Sequence, residues 1–346
     1  MSMISRQKLN QSVCTGALAL VVSFPATTLA DDDPITWRVQ THHPQGSVSY
    51  EDSVMFFKER IEERTDGRLQ LEIYEAGSLF GWDQIFPAVS RGTIPMGTVG
   101  AGYFLDYSEL AGIAFGLPNS FNDVWEALHF WRNHEFEETF REHLLEEHDL
   151  YWTTSLFYPT EMVVTDRIDS LEDLEAMQIR LTGTLQEFMT EVGAAASTLG
   201  GEEIYQALST GVIDGASWGH IAGAHSMNFY EVAKYHVRPP LNISSNGFII
   251  NQEAIEELPD DVREILYQTL DEQVWHTTAR SEYGEKVLLR EIQEELGVEV
   301  IELPDDVQAR MDEVAERLWN QEAERGELAA QAVADIEAFM AEIEDR

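Results

Sequence analysis

Two stretches of this 346-residue chain repeat each other at an offset of 119. "WDQIFPAVSRGTIPMGTVG" (82–100) and "GEEIYQALSTGVIDGASWG" (201–219) share Ile85/Ile204, Ala88/Ala207, Ser90/Ser209, Gly92/Gly211 and Ile94/Ile213. Each reads as a short helix, a glycine stop and a strand, because glycine accepts the left-handed conformation that ends helices. A chain that builds this unit twice is expected to be α/β, with two similar lobes facing each other. Ligands in open α/β sheets sit beyond the carboxyl ends of the strands, so both repeated strands are expected to end at a shared cleft. Closure of the lobes is the natural motion around such a cleft. The copies differ at the end of the strand, where Trp218 aligns with Val99.

The flanking pattern supports the same architecture. "ITWRVQTHH" (35–43) reads as a buried strand. Val54, Phe57 and Ile61 predict a helix over 47–67 that stops at "TDG", and "RLQLEIYEAG" (68–77) alternates like a strand. Alternating strands and helices predict a parallel sheet. One long helical stretch is expected at 122–148, a strand at 150–166, and a helix after Ser170, which caps it. "QIRLTG", "TLQEFMTEVGA" and the second repeat complete a second lobe, and "NGFIIN" (246–251) reads as a strand returning to the first. Lobe I is therefore expected over 31–154 plus about 246–300 and lobe II over 155–245. A C-terminal helical segment over 301–346 is expected to pack on both. Several segments cross between lobes and form the hinge.

The first 30 residues are read apart from the fold. Arg6 and Lys8, the apolar "GALALVVSF" (16–24) and the small residues Thr28 and Ala30 form a secretory signal peptide, with cleavage expected after Ala30 and export to a soluble compartment. The apolar run is too short to span a membrane. Cys14, the only cysteine, lies inside it, so no disulfide is expected in the mature chain. The net charge is −41, and removing the segment with its two basic residues makes it −43. That balance excludes nucleic acid and anionic membrane surfaces as partners, since both need a basic patch. The carboxylates, Glu137, Glu138, Glu146 and Glu147 among them, are expected on solvated helix faces. Such an excess suits a salt-rich surrounding, which screens self-repulsion.

Six stretches, in order, carry a family resemblance: "ERTDGRLQLEIYEAGSL" (62–79), "PAVSRGTIPMG" (87–97), "AFGLPNSF" (114–121), "MQIRLTG" (177–183), "VGAAASTLGGEEIYQALSTGVIDGASW" (192–218) and "NGFIINQEAIEELPDDVREIL" (246–266). On these the mature chain resembles the extracytoplasmic solute-binding proteins of TRAP (tripartite ATP-independent periplasmic) transporters. The resemblance implies a non-enzymatic periplasmic receptor that delivers a small solute to small and large membrane permease subunits.

The resemblance also picks out residues. It implies a selectivity arginine at the end of the "QIR" strand, Arg180, whose planar guanidinium can grip a carboxylate through two parallel hydrogen bonds. Trp218 is a large flat surface at a cleft edge, able to cover an apolar ligand body or stack on a cation. Relatives that bind a keto or hydroxy acid through a metal ion place a Glu just before this tryptophan. Here it is Ser217, and "NISSNG" (242–247) lacks the second acid, so no metal or other cofactor is expected. His220 and His225 do not make a zinc pattern and read as surface or loop residues. His42 and His43 follow the first strand, and the resemblance implies a ligand contact there, His43 in particular. Asn246 precedes "GFIIN" at a hinge crossing, and Trp82 is expected at the rim.

Glu161 is the one charge in an otherwise apolar strand, and burying a lone charge is expensive. Either it binds a ligand amino or hydroxyl group, or it holds Arg180. In the first case a zwitterion or hydroxylated acid fits. In the second a small amine fits, boxed by Phe157, Tyr158, Tyr103 and Phe104. An enzyme using Glu161 and His43 for acid–base work is the remaining class, but no nucleophile elbow, phosphate loop or HExxH is present.

Overall fold

The computed structural model describes residues 33–344. The signal segment expected over 1–30 lies outside the described residues. The first lobe opens with β1 (Ile35–Thr41), α1 (Phe56–Arg64), β2 (Leu69–Tyr74), α2 (Ile85–Ser90) and β3 (Met96–Gly100). Helices α3 (Ala111–Phe115), α4 (Val124–Asn133) and α5 (Phe136–His148) lead to the 15-residue strand β4 (Leu150–Val164). Then follow α6 (Leu171–Glu175), β5 (Gln178–Arg180), α7 (Thr184–Val192), β6 (Ala195–Ser197), α8 (Gly201–Ser209), β7 (Gly215–Ala216) and α9 (Ile221–Ser226). The 17-residue strand β8 (Tyr235–Asn251) returns to the first lobe. After it come α10 (Gln252–Glu256), α11 (Asp260–Glu294), β9 (Glu299–Glu302), α12 (Asp305–Ala323) and α13 (Glu327–Glu344).

Among the described residues all nine strands join one sheet in the order β2-β1-β3-β8-β4-β7-β5-β6, with β9 added to β8. The repeat is visible in this order. In one lobe β1 pairs in parallel with β2 and β3, and β3 meets β8 antiparallel. In the other, β5 pairs in parallel with β6 and β7, and β7 meets β4 antiparallel. The long strands β4 and β8 pair with each other from Leu150↔Asn251 to Val164↔Tyr235 and carry the chain between lobes.

Three sequence expectations change here. The strand expected at 246–251 begins at Tyr235. Pro239 and Pro240 hid its first part, because proline cannot donate to a ladder and argues against a central strand. The ladder accommodates them with a register shift: Thr160 pairs with Asn242 but Met162 with Val237. The helix expected over 122–148 is broken at Glu135, which has φ of 57°. Beyond that break Glu137 turns inward rather than to solvent. It is 3% exposed, its Oε1 accepts the Thr154 N–H at 2.7 Å, and Arg132 stands 3.2 Å from its Oε2.

The 35-residue helix α11 is about 52 Å long at 1.5 Å per residue and braces both lobes. Gln273 Nε2 donates to the Ser53 carbonyl at 3.0 Å beside the first. Ser281 and Glu285 contact His220 in the second. Apolar side chains of α1, α11 and β1–β3 form one core cluster, those of α8, α9 and β7 another, and the largest runs beneath α2–α5, α7 and α12.

Candidate functional site

Where β1 and β3 end, Thr41 and Thr98 share a hydroxyl hydrogen bond of 2.7 Å. His42 Nδ1 donates to the Thr98 carbonyl at 2.8 Å. The other lobe repeats this device with a charge. Arg180 ends β5, and its Nη1 donates to the carbonyl of Ser217 at 2.8 Å. Ser217 stands 119 residues after Thr98, so equivalent carbonyls are held in the two lobes by a neutral ring and by a guanidinium.

Arg180 is 3% exposed and tightly fixed. Its Nε and Nη2 donate to the Leu199 carbonyl at 3.0 and 2.8 Å, and Nη2 also donates to the Tyr103 hydroxyl at 3.0 Å. The guanidinium carbon lies 5.3 Å from the Trp218 ring centroid, a cation–π distance. Every protein group it contacts is uncharged. Among the described residues Arg180 forms no ion pair with a carboxylate.

These side chains enclose a cavity of about 570 Å³, counted to its mouth. Of the residues expected at the site, Arg180, Trp218, Tyr103, His43, Ser217 and Asn246 line it, with His42 and Tyr158. Among the described residues no aspartate or glutamate does. Burial holds the His42 imidazole down at about 4, against the opposing pull of its hydrogen bond to the Thr98 carbonyl and with added repulsion from Arg180. Burial, reinforced by His42, drives His43 well below its ordinary value. Both rings are therefore neutral near pH 7. Burial raises the Tyr158 hydroxyl, which donates to Asn246 Oδ1 at 3.3 Å. Among the described residues Arg180 is the lining's only permanent charge. His43 Nδ1 and Ser217 Oγ are buried without a hydrogen-bond partner among the described residues.

Two expected residues lie elsewhere. Phe157 is in the core, edge-on to Trp131 at 5.4 Å. Glu161 does not line the cavity and does not hold Arg180. Its Oε1 is 2.9 Å from Arg238 Nε and its Oε2 2.9 Å from His236 Nε2. The reason is strand geometry. Successive side chains of a strand point to opposite faces, and Tyr158 and Thr160 take the cavity face of β4. Phe157 and Glu161 are on the other. Phe104 is likewise core, stacked on Phe86 at 4.6 Å. Trp82 packs at 5.1 Å from Tyr103 without lining the cavity.

Sequence reasoning missed Phe115, Thr182, Leu185 and His220, all of which line the cavity. Phe115 and Thr182 sit in "AFGLPNSF" and "MQIRLTG", two of the stretches that carry the resemblance, so the signal was present. His220 was expected at the surface and is instead 4% exposed. At the start of α9 its Nδ1 faces Glu285 Oε1 at 2.7 Å, and the Ala222 N–H donates to the same Oε1 at 3.3 Å. His225 is half-buried, 3.8 Å from Glu291.

Bridging a ligand through calcium needs six to eight oxygen ligands, mostly carboxylate and carbonyl. Among the described residues the lining supplies histidines, hydroxyls, the Asn246 amide and one guanidinium, and no carboxylate. These residues do not fit such an ion.

The family described as "Bacterial extracellular solute-binding protein, family 7" (DctP) matches residues 39–325. The chain is 25% identical over 357 aligned positions to the C4-dicarboxylate-binding periplasmic protein DctP of Rhodobacter capsulatus, covering 98% of this chain and 100% of that one. It is 27% identical to the ectoine-binding periplasmic protein TeaA of Halomonas elongata, covering 97% and 98%. In fold it is similar to a TRAP transporter solute-binding protein from Bordetella bronchiseptica, whose structure carries calcium and picolinate. The TM-score there is 0.83 at 21% identity, covering 91% of this chain and 94% of that one. These relatives are solute receptors, not enzymes. The matched region takes in every cavity residue discussed above, and the chain belongs to family 7 of the bacterial extracellular solute-binding proteins.

Proposed function

We infer that this receptor captures a small monocarboxylate in the periplasm, with Arg180 as the clamp, and hands it to the small and large TRAP membrane subunits. The observation that carries this reading is a deeply buried guanidinium without an acid partner, in a lining that contains no carboxylate. A buried charge needs a counter-charge, and an anionic ligand supplies it. Beyond Arg180 the lining, as far as the described residues form it, holds no permanent positive charge, which favours a single carboxylate on the ligand. An amine boxed by aromatics required Glu161 to neutralise Arg180, and Glu161 is committed to His236 and Arg238. A ligand ammonium likewise finds no acidic side chain in the lining. His43 Nδ1 and Ser217 Oγ suit a ligand that carries a second hydrogen-bonding group beside its carboxylate.

A thermal-shift panel of monocarboxylates, dicarboxylates, amines and zwitterions tests this. A ligand at 100 times its Kd adds about 2.7 kcal/mol of stability, and monocarboxylates are expected to give the largest shift, unchanged by a chelator. Stabilisation by amines alone overturns the reading. Uptake of the bound acid by vesicles holding the two membrane subunits, dependent on this receptor, tests delivery.

A further inference from the structure

His220 belongs to a chain of side chains that leaves the cavity wall and ends in the far core. Its Nδ1 is 2.7 Å from Glu285 Oε1 and its Nε2 is 2.7 Å from Ser281 Oγ. Glu285 Oε2 is 3.3 Å from Arg238 Nη2, and Arg238 Nε is 2.9 Å from Glu161 Oε1. Glu161 Oε2 is 2.9 Å from His236 Nε2, whose Nδ1 is 2.9 Å from the Tyr230 hydroxyl. The order is His–Glu–Arg–Glu–His. It draws together α9, α11, β8 and β4, and it passes through the register shift where residues 238–241 of β8 stand against Glu161 alone. A bulge of this kind re-aims side chains. The same Glu161 donates its backbone N–H to the Gly219 carbonyl at 2.8 Å and so ties the hinge strand to the cavity wall.

The charges along this chain do not balance on permanent groups. Glu161 and Glu285 are 4% and 8% exposed, and one arginine serves both. An uncompensated buried charge is costly. The surroundings add no surplus cation. Glu282 and Lys286 of α11 and Glu302 of β9 line the groove over Arg238. Asp52, across a small cavity from His220 and Ser281, is paired with Arg280 at 2.7 Å. One proton on either imidazole makes the chain neutral. Both rings have a partner for it: a charged His220 donates to Glu285 and Ser281, and a charged His236 donates to Glu161 and Tyr230.

We propose that this chain holds one proton shared between His220 and His236, and that an anion in the cavity draws it to His220, which then supports Arg180 as a second positive charge and holds the Trp218–His220 wall. The proposal rests on the carboxylate reading above. His220 acts as a positioning residue, since both ring nitrogens are taken by protein groups. The proton that His236 releases equals the one His220 takes, so binding at neutral pH brings little net proton uptake.

Histidine ¹⁵N NMR on the ligand-free protein at pH 7.5 reads the ring charges directly. The summed charge of the two rings is expected to be one in the native protein, zero in Glu161→Gln and two in Arg238→Met. The ring signals are assigned by His220→Asn and His236→Asn. Saturating lactate is expected to leave His220 charged and His236 neutral. Two neutral rings in the native protein overturn the proposal, and that measurement decides even if a variant does not fold. A count unchanged by Glu161→Gln overturns it as well. Lactate binding with the proton kept on His236 overturns the positioning role. If no carboxylate moves the melting temperature, the functional reading fails separately, while the charge count still upholds or overturns the shared proton.

Discussion

Arg180 holds the carbonyl of Ser217 at 2.8 Å with one arm of its guanidinium and the carbonyl of Leu199 with two other N–H groups. Three loops are therefore fixed around one cation: the end of β5, the approach to α8 and the turn that carries Trp218. An arginine so restrained meets its ligand with little further loss of side-chain freedom, which is the basis of pre-organised affinity.

Arg180→Lys tests that geometry. A lysine ammonium has no planar fork and cannot span Leu199 and Ser217 while facing a carboxylate. Affinity for the best carboxylate is expected to fall at least tenfold, about 1.4 kcal/mol, by isothermal titration calorimetry. Arg180→Ala is expected to cost about 2–5 kcal/mol, as for truncating one partner of a buried charge pair. Native affinity in either variant removes the clamp.

The His42 imidazole makes stability pH dependent. Its folded value, about 4, lies below the ordinary 6.5. Between those values the unfolded chain binds a proton that the native state does not, so stability rises with pH. The contribution is complete above pH 6.5 and is lost as pH falls towards 4, by about 3 kcal/mol in all. His43 acts in the same direction. Urea unfolding at pH 7, 5.5 and 4.5 is expected to show a shallower loss in His42→Asn than in the native protein. Equal slopes would contradict the buried neutral ring.

Gly201 lets Trp218 reach its place. A Cβ on Gly201 would lie 2.3 Å from the Trp218 ring. The position opens α8 at an ordinary helical residue, which alanine favours, so the helix is expected to persist while the indole turns away. Gly201→Ala should weaken binding by displacing Trp218 from Arg180 and should change the Trp218 fluorescence, with melting temperature altered by only a few degrees. Unchanged ligand affinity would show that Trp218 does not shape the site.

Glu137 anchors β4 from the helix before it. Glu137→Ala leaves the buried Thr154 N–H without its acceptor, while Arg132 keeps Asp271 at 2.7 Å, and should cost about 1–3 kcal/mol. Glu137→Gln keeps an oxygen for Thr154 and should lose less. Equal losses in denaturant titrations would assign the effect to volume instead.

Much of the framework was legible in the sequence. Local hydrophobic periods and glycine stops located the repeated helix–strand units, and those units reappear as equivalent halves of one sheet, because short-range pattern decides where a helix or strand forms. Arg180, Ser217 and Trp218 were picked out by the family resemblance rather than by period, and they line the cavity at the ends of β5 and β7. What the pattern could not tell was parity on β4. Both faces of that strand are buried, so nothing in "LFYPTEMVV" distinguishes the side of Tyr158 and Thr160 from the side of Phe157 and Glu161. A half-exposed strand would have betrayed its inner face by alternation. Sequence alone thus determined two α/β lobes, a cleft and an arginine at one strand end. Only the tertiary structure decided that Glu161 belongs to Arg238 and His236 rather than to Arg180. That pairing joins residues 75 or more positions apart across a register shift, and it depends on packing that no local pattern encodes.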